Sequence, residues 1–354
     1  MSKFLTQKYE GLKPYVPGEQ PTGRKYIKLN TNESPYPPSE NAIKLAQAEL
    51  QKLMLYPDPE MGELTSLMAK TLGVTPDRCI MTNGSDEVLN FAFMAWCDKD
   101  NPAVFPDITY GFYKVFAELC GVPYKEIPLK DDFTVAVEDY LGVKGTVFIA
   151  NPNAPTGIAL SISDIERIVA SDKNRVVVVD EAYVDFGAES AVSLTEKYDN
   201  LLVTGTFSKS RSMAGARLGF GVGSVSLIED LIKIKYSTNP YNVNRMTAAA
   251  GIGALLDKEY FKSNLEKIIE TREWVRDRLI SLGFSVLPSK TNFLFVKSDR
   301  MSGAEFYSAL RENGVLVRHF AGGRISDFAR VTIGSREEMQ TFISIIESLP
   351  EYKG

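Results

Sequence analysis

Between about residues 62 and 235, short apolar runs alternate with stretches whose apolar side chains recur every three or four positions. The runs "RCIMTN", "PAVF", "TVFIANP", "RVVVVDEAY" and "LLVTGTFSK" hold continuous apolar segments rather than an in–out alternation. That texture marks strands covered on both faces. The segments between them, such as "GSDEVLNFAFMAW" and "TYGFYKVFAELCG", carry helical spacing. Strand and helix in strict succession predict an α/β fold with a mostly parallel sheet flanked by helices. Ligands of such sheets collect at the carboxyl ends of the strands.

The flanks read differently. Residues 1–38 are rich in Pro, Gly, Asn and Tyr and predict an extended arm. Ser39 can cap a helix running to about Leu55, with Ile43, Ala46, Leu50 and Leu53 on one face. After about residue 240 comes a long helix over roughly 257–282, stopped by Gly283. Then follow "FSVLP", "TNFLFVKS", a helix near 302–313, "GVLVRHF", "FARVTIG" and a final helix. Ser335 and Glu338 have capping-box spacing at the start of that last helix. The chain has 354 residues, more than the roughly 250–300 that one core usually serves. Three units are therefore expected. An arm (1–38) joins the small domain and a dimer interface, a large ligand-binding domain spans 39–240, and a smaller α+β domain spans 241–354, with 241–282 partly a linking helix.

Charge and composition narrow the function. The net charge is −5 with no basic block, which argues against nucleic acid or an anionic membrane as partner. No apolar run approaches the roughly 20 residues of a membrane span, and "MSKFLTQKYEGLKPYVPGEQ" lacks a signal peptide's apolar core; a cytoplasmic protein is expected. Cys79, Cys97 and Cys120 are widely spaced in apolar contexts and read as buried thiols. His319 is the single histidine. One histidine leaves no multi-histidine metal centre and little scope for a Ser-His-Asp triad. No metal is expected, so any chemistry falls to a lysine, a tyrosine, a carboxylate or a borrowed cofactor.

Three strand ends supply candidates. "CIMTN" leads into Gly84, Ser85 and Asp86 at a helix start, where free amides and the helix dipole favour an anion. "RVVVVD" delivers Asp180, followed by Tyr183. "LLVTGT" delivers Thr206, Ser208 and Lys209, with Arg217 eight residues beyond the lysine. Each has an ordinary reading: Gly-Ser before a helix is commonly a cap, an Asp at a strand end commonly closes a turn, and most lysines are solvated. An amine set among small residues at the end of a buried strand is less ordinary. Together the strand ends offer a phosphate cradle (Gly84, Ser85, Thr206, Ser208, Arg217), a carboxylate, a phenol and an amine. A phosphorylated carbonyl compound that condenses with lysine fits all four, and pyridoxal 5′-phosphate is that compound.

"NPNAPTG", "VDEAYVDF", "TFSKSRSMAGARLGF" and "FARVTIG" resemble the fold-type I pyridoxal-phosphate-dependent aminotransferases. "LKPYVPG", "LNTNESPYPPS", "LMLYPDP" and "NGSDE" are similar to the histidinol-phosphate aminotransferase branch, and the similarity spans nearly the whole chain. The resemblance implies that Lys209 forms the Schiff base and moves a proton, Asp180 pairs with the pyridine nitrogen, and Tyr183 bonds the ring's O3′. Tyr110 stacks on the ring, while the Ser85 and Asp86 amides, Ser208 and Arg217 hold the phosphate. Tyr56 reaches the neighbouring subunit's cofactor, which makes a homodimer part of the site. Arg330 binds the carboxylate of glutamate. Arg330, Arg318 and Tyr15 bind the phosphate of L-histidinol phosphate, and Asn32 lines the same pocket. The implied reaction exchanges an amino group between L-histidinol phosphate and 2-oxoglutarate, in histidine biosynthesis.

One position departs from the pattern. The family usually has Asn before Pro-Thr-Gly, bonding O3′, and here that residue is Ala154. Asn153, a water or Tyr183 alone must then serve. Arg324, in "AGGRISD", fits either a loop charge or a pocket wall. On the same fold, a lyase decarboxylating threonine phosphate and an aromatic aminotransferase remain alternatives; outside enzymes, a silent cofactor-binding module lacks any appended basic segment to act through.

Overall fold

The structure is a computed structural model and describes residues 2–20 and 23–353. Seven strands form the main sheet: β1 (Cys79–Thr82), β2 (Ala103–Pro106), β3 (Tyr124–Ile127), β4 (Thr146–Ala150), β5 (Val177–Asp180), β6 (Leu201–Thr206) and β7 (Gly219–Val222). Their order is β1-β7-β6-β5-β4-β2-β3. All neighbours from β6 to β3 run parallel, and β7 lies antiparallel between β1 and β6. Every residue of β1, β2, β4 and β5 is buried. Apolar clusters cover both faces, one holding Val147, Ile149, Val177 and Val179 and the other Phe93, Phe148, Val178 and Leu202. The α/β fold read from continuous apolar runs is the observed one.

The helices on this sheet are α1 (Glu40–Ala48), α2 (Gly62–Leu72), α3 (Ser85–Trp96), α4 (Phe112–Cys120), α5 (Ile162–Ala170), α6 (Val225–Thr238) and α7 (Arg245–Leu256). Ser39 caps α1 through the Ala42 amide. That helix stops at Ala48 rather than near Leu55. A 3-10 turn follows at Leu50–Lys52, and Leu50, Leu53 and Leu55 stand exposed, with no core to hold helical periodicity.

Helix α8 (Lys258–Ser281) leads to a second, antiparallel sheet of β8 (Phe284–Val286), β9 (Phe293–Ser298), β10 (Arg318–His319) and β11 (Phe328–Thr332), in the order β10-β11-β9-β8. Helices α9 (Gly303–Glu312) and α10 (Arg336–Ser348) complete it, each opened by a capping box, Ser302/Glu305 and Ser335/Glu338. Its core includes Leu279, Phe284, Val296, Phe306 and Phe342. Ile27–Lys28 pairs in parallel with Val315–Leu316, and the Leu29 carbonyl accepts from the Thr332 amide. The first pairing makes a separate two-stranded sheet, and the Leu29 contact ties this part of the arm to the edge of β11. Among the described residues no helix is long and apolar enough to cross a membrane.

Candidate active site

The carboxyl ends of β1, β5 and β6 open onto one cleft with about 570 Å³ of empty space. Its walls include Ser85, Asp86, Tyr110, Asp180, Tyr183 and Lys209, and further round Ala154, Thr206, Ser208 and Arg217. Two glycines shape the anion end. Gly84 turns β1 into α3 with φ +79°, and Gly219 of β7 lies so close to α3 that a Cβ there would sit 2.3 Å from the Ser85 amide. Bare backbone lets the helix start press onto the sheet.

Around that helix start, the Thr206 hydroxyl donates to Ser208 Oγ at 2.9 Å and accepts from the Ser208 amide at 3.1 Å. Arg217, in the left-handed region at φ +55°, points back across the cleft, and its Nη2 lies 2.8 Å from Asp86 Oδ2. Tyr110 donates to the other carboxylate oxygen, Oδ1, at 2.7 Å. Burial, then the Asp86 charge, raises the Tyr110 phenol well above its ordinary range. It therefore acts as a donor.

Asp180 is 4% exposed. It accepts from the Tyr113 hydroxyl at 3.1 Å and from the Ala182 amide at 3.2 Å. No cation among the described residues lies within ion-pair distance of it (the ion pairs lie elsewhere, that of Arg217 being with Asp86). Burial, reinforced by the Asp86 charge, pushes its carboxyl up to about 7. A carboxyl so placed is held as the anion only beside a positive partner. Lys209 Nζ donates to the Thr31 carbonyl at 3.4 Å and stands 5.9 Å from the centre of the Tyr183 ring. Tyr183 packs edge-on against Phe293 and accepts a hydrogen bond from Asn32 Nδ2 at 2.8 Å.

A second cavity adjoins the first, sharing Tyr110 and Ala154, and is bordered by Tyr15, Arg318, Arg324 and Arg330. Arg318 donates to the carbonyls of Val16 and Pro17, and Arg324 to those of Leu129 and Lys130. Arg330 donates to the Asn30 carbonyl at 3.1 Å, and its buried Nε has no partner. Burial lowers the Arg330 pKa from its ordinary value. None of the three meets a carboxylate among the described residues. Three guanidiniums without carboxylate partners give this cavity a positive lining. The Tyr15 ring rests on Phe112, 4.5 Å between centroids.

Two expectations are placed differently by the structure. Asn153 is not in the cleft. Its amide donates to the Ile108 carbonyl and Thr156 Oγ1, and its oxygen accepts from Thr109, so every polar atom is engaged away from the ligand side. Ala154 takes the wall instead. Asn32 does not line the second cavity; it is buried behind Tyr183 and bonded to Thr332. Tyr56, expected to reach a neighbouring subunit, is 77% exposed and stacked on Tyr241 at 4.6 Å. Sequence reading missed Tyr113, although it stands one helical turn after Tyr110 in "YGFY". Among the described residues no group of three or more His, Cys, Asp or Glu could hold a metal ion.

The family model described as aminotransferase class I and II matches residues 24–346. The chain is 47% identical over 349 residues to histidinol-phosphate aminotransferase of Brachyspira hyodysenteriae, covering 98% of this chain and 99% of that one. It is 46% identical to the enzyme of the same name from Clostridium acetobutylicum, with the same coverages. Among solved structures, histidinol-phosphate aminotransferase of Sinorhizobium meliloti in complex with pyridoxal-5′-phosphate superposes with a TM-score of 0.88 at 24% identity. That match covers 99% of this chain and 98% of the other, a likeness of fold. By the extent of the family match and of these identities, the chain belongs to the class I and II aminotransferases.

Proposed function

We propose that the first cleft holds pyridoxal 5′-phosphate and that the enzyme moves an amino group between L-histidinol phosphate and 2-oxoglutarate. The residues present fit the cofactor. The buried, cation-free Asp180 suits a protonated ring nitrogen; the α3 start with Ser208 and Arg217 suits a phosphate; Lys209 suits an aldehyde. When bound, the cofactor supplies a carbonyl that condenses with amines and a ring that draws electrons from the substrate Cα.

The chain's own part is binding, orientation and proton movement. Lys209 Nζ would anchor the cofactor and carry the proton at the substrate Cα. Asp180 would keep the ring nitrogen charged, aligned by Tyr113. Tyr183 would donate to the ring hydroxyl oxygen. The amides of Ser85 and Asp86, Ser208 and Arg217 would hold the phosphate, while Tyr110 covers the ring face. Arg330 would grip the carboxylate of glutamate with its planar fork. In the other half-reaction Arg330, Arg318 and Tyr15 would take the phosphate of histidinol phosphate.

The observation that carries the reading is the junction of the two cavities at Tyr110 and Ala154, which sets a carboxylate-free arginine cluster beside the amine. Relatives at 45–47% identity that bear the name histidinol-phosphate aminotransferase support the substrate. A homodimer is part of the proposal: Leu53, Met54 and Leu55 are exposed beside Tyr56, an apolar patch suited to a second copy. Free thiols at Cys79, Cys97 and Cys120 support a cytoplasmic location. The test supplies purified enzyme with glutamate and imidazole-acetol phosphate. The reading requires 2-oxoglutarate and histidinol phosphate in equal amounts; release of carbon dioxide, or turnover of aromatic keto acids only, would refute it.

A further inference from the structure

Three consecutive residues of the amino-terminal arm each touch one group of the site. The Asn30 carbonyl accepts from Arg330, the Thr31 carbonyl accepts from Lys209, and the Asn32 amide donates to the Tyr183 hydroxyl. A short stretch of the arm thus spans the arginine-lined cavity, the amine and the phenol, which come from two different sheets and their loops.

Asn32 is the most constrained of the three. Its φ is +55°, a left-handed conformation that a non-glycine residue adopts only when its surroundings hold it. Its amide N–H donates to Thr332 Oγ1 at 3.0 Å, the same hydroxyl donates to Asn32 Oδ1 at 3.0 Å, and Asn292 donates to the Asn32 carbonyl at 3.0 Å. The residue is 1% exposed. With Oδ1 engaged by the Thr332 proton, the NH2 group faces Tyr183.

A phenol has one proton, and its oxygen here already accepts from Asn32. That proton is free to point into the cleft, and an oxygen that accepts becomes the stronger donor. An acceptor in Asn32's place would draw the proton out of the cleft. We infer that Asn32 is a positioning residue: its amide commits the Tyr183 proton to the ligand side of the cleft, and Thr332 holds the amide in that orientation. Thr332 and Arg330 lie two positions apart on β11 and so on the same face of the strand. The strand that presents the anion-binding guanidinium therefore also sets the phenol. With Ala154 unable to donate, Tyr183 carries this contact without the usual second donor. The inference rests on the proposed cofactor, whose ring oxygen is the acceptor.

The experiment compares wild type with Asn32→Ala, Asn32→Asp and Thr332→Val. Each is loaded with pyridoxal 5′-phosphate and its visible absorbance is followed against pH without substrate. Affinity of the cofactor-free protein for pyridoxal 5′-phosphate is measured by equilibrium dialysis. The donor on the ring oxygen opposes protonation beside it. Asn32→Ala should therefore raise the pH midpoint by about half to one unit, Asn32→Asp at least as far, and Thr332→Val in the same direction by less. Cofactor affinity should fall by about 3- to 10-fold in Asn32→Ala. A wild-type midpoint in Asn32→Asp would overturn the inference, because an acceptor would then serve as well as a donor. So would a change confined to the KM for histidinol phosphate, which marks a substrate ligand. Should Asn32→Ala fail to fold, Thr332→Val with an unmoved midpoint refutes the inference as well. Failure of wild type to bind the cofactor at all would instead refute the underlying reading.

Discussion

Arg217 and Asp86, 131 residues apart in the chain, meet across the cleft with 2.8 Å between Nη2 and Oδ2. Both side chains are partly exposed, at 48% and 30%. An exposed pair of this kind holds little energy and its guanidinium can turn to a better anion. The free amides at the start of α3 and this guanidinium converge where a ligand phosphate would be received.

Arg217→Ala should therefore weaken pyridoxal 5′-phosphate binding by roughly 10- to 100-fold in equilibrium dialysis, with Arg217→Lys in between because it keeps the charge but loses the fork. Unchanged affinity in Arg217→Ala would place the phosphate elsewhere.

Asp180 and its neighbour Glu181 make the stability of the cofactor-free protein sensitive to pH. Burial raises the first carboxyl to about 7 and the second to about 8. A raised folded-state value means that the folded protein keeps protons which the unfolded chain has released. The stability this contributes is complete below the unfolded value near 4 and is lost as pH climbs through 7 to 8. Asp180→Asn cannot ionise. Cofactor-free Asp180→Asn should match wild type near pH 4 and exceed it at pH 8 by up to ~4 kcal/mol, read from urea midpoints. The same variant should lose nearly all transaminase activity. A variant less stable than wild type at pH 8 would contradict this account of Asp180.

Tyr113→Phe removes the hydroxyl 3.1 Å from Asp180. That hydrogen bond opposes the upward shift of Asp180, so its loss should move the pH-dependent stability loss of the cofactor-free protein to higher pH. The cost in kcat should be about 3- to 10-fold, one hydrogen bond's worth. An unaltered pH profile would show that Tyr113 only fills space.

Ala154→Asn places a donor on the wall shared by both cavities. It should lower the pH midpoint of the loaded protein's visible absorbance by less than about one unit, a single hydrogen bond of ~1 kcal/mol. If the midpoint stays put, the wall at 154 does not face the ring hydroxyl.

Much of the scaffold was legible because burial on both faces leaves a plain mark. Val177–Val179 and Val147–Ala150 are apolar without alternation and lie inside the sheet. Strand β7 gave no such mark, since its glycines serve close approach: a Cβ on Gly219 would strike the α3 start. Tyr124–Ile127 was missed because an edge strand with exposed Lys125 and Glu126 lacks a covered face. Helix α7 was absorbed into a linker because "MTAAAGIGALL" has no polar stripe to give it a period.

In the site, the residues at strand ends were legible because the sheet itself gathers them. The contacts that orient them were not. Asn32 to Tyr183 spans 151 residues and Tyr113 to Asp180 spans 67, with nothing local to announce either. Asn153 and Ala154 show the limit most plainly. Which of two adjacent residues faces the cleft depends on the backbone path, and here that path turns the amide to Ile108 and Thr156.

The most direct measurement treats the protein, incubated with pyridoxal 5′-phosphate, with borohydride and maps the modified peptide by mass. The account predicts one pyridoxyl phosphate per chain, on the Nζ of Lys209, and none on Lys209→Ala. A label on any other lysine, or an unlabelled wild-type chain, would contradict it.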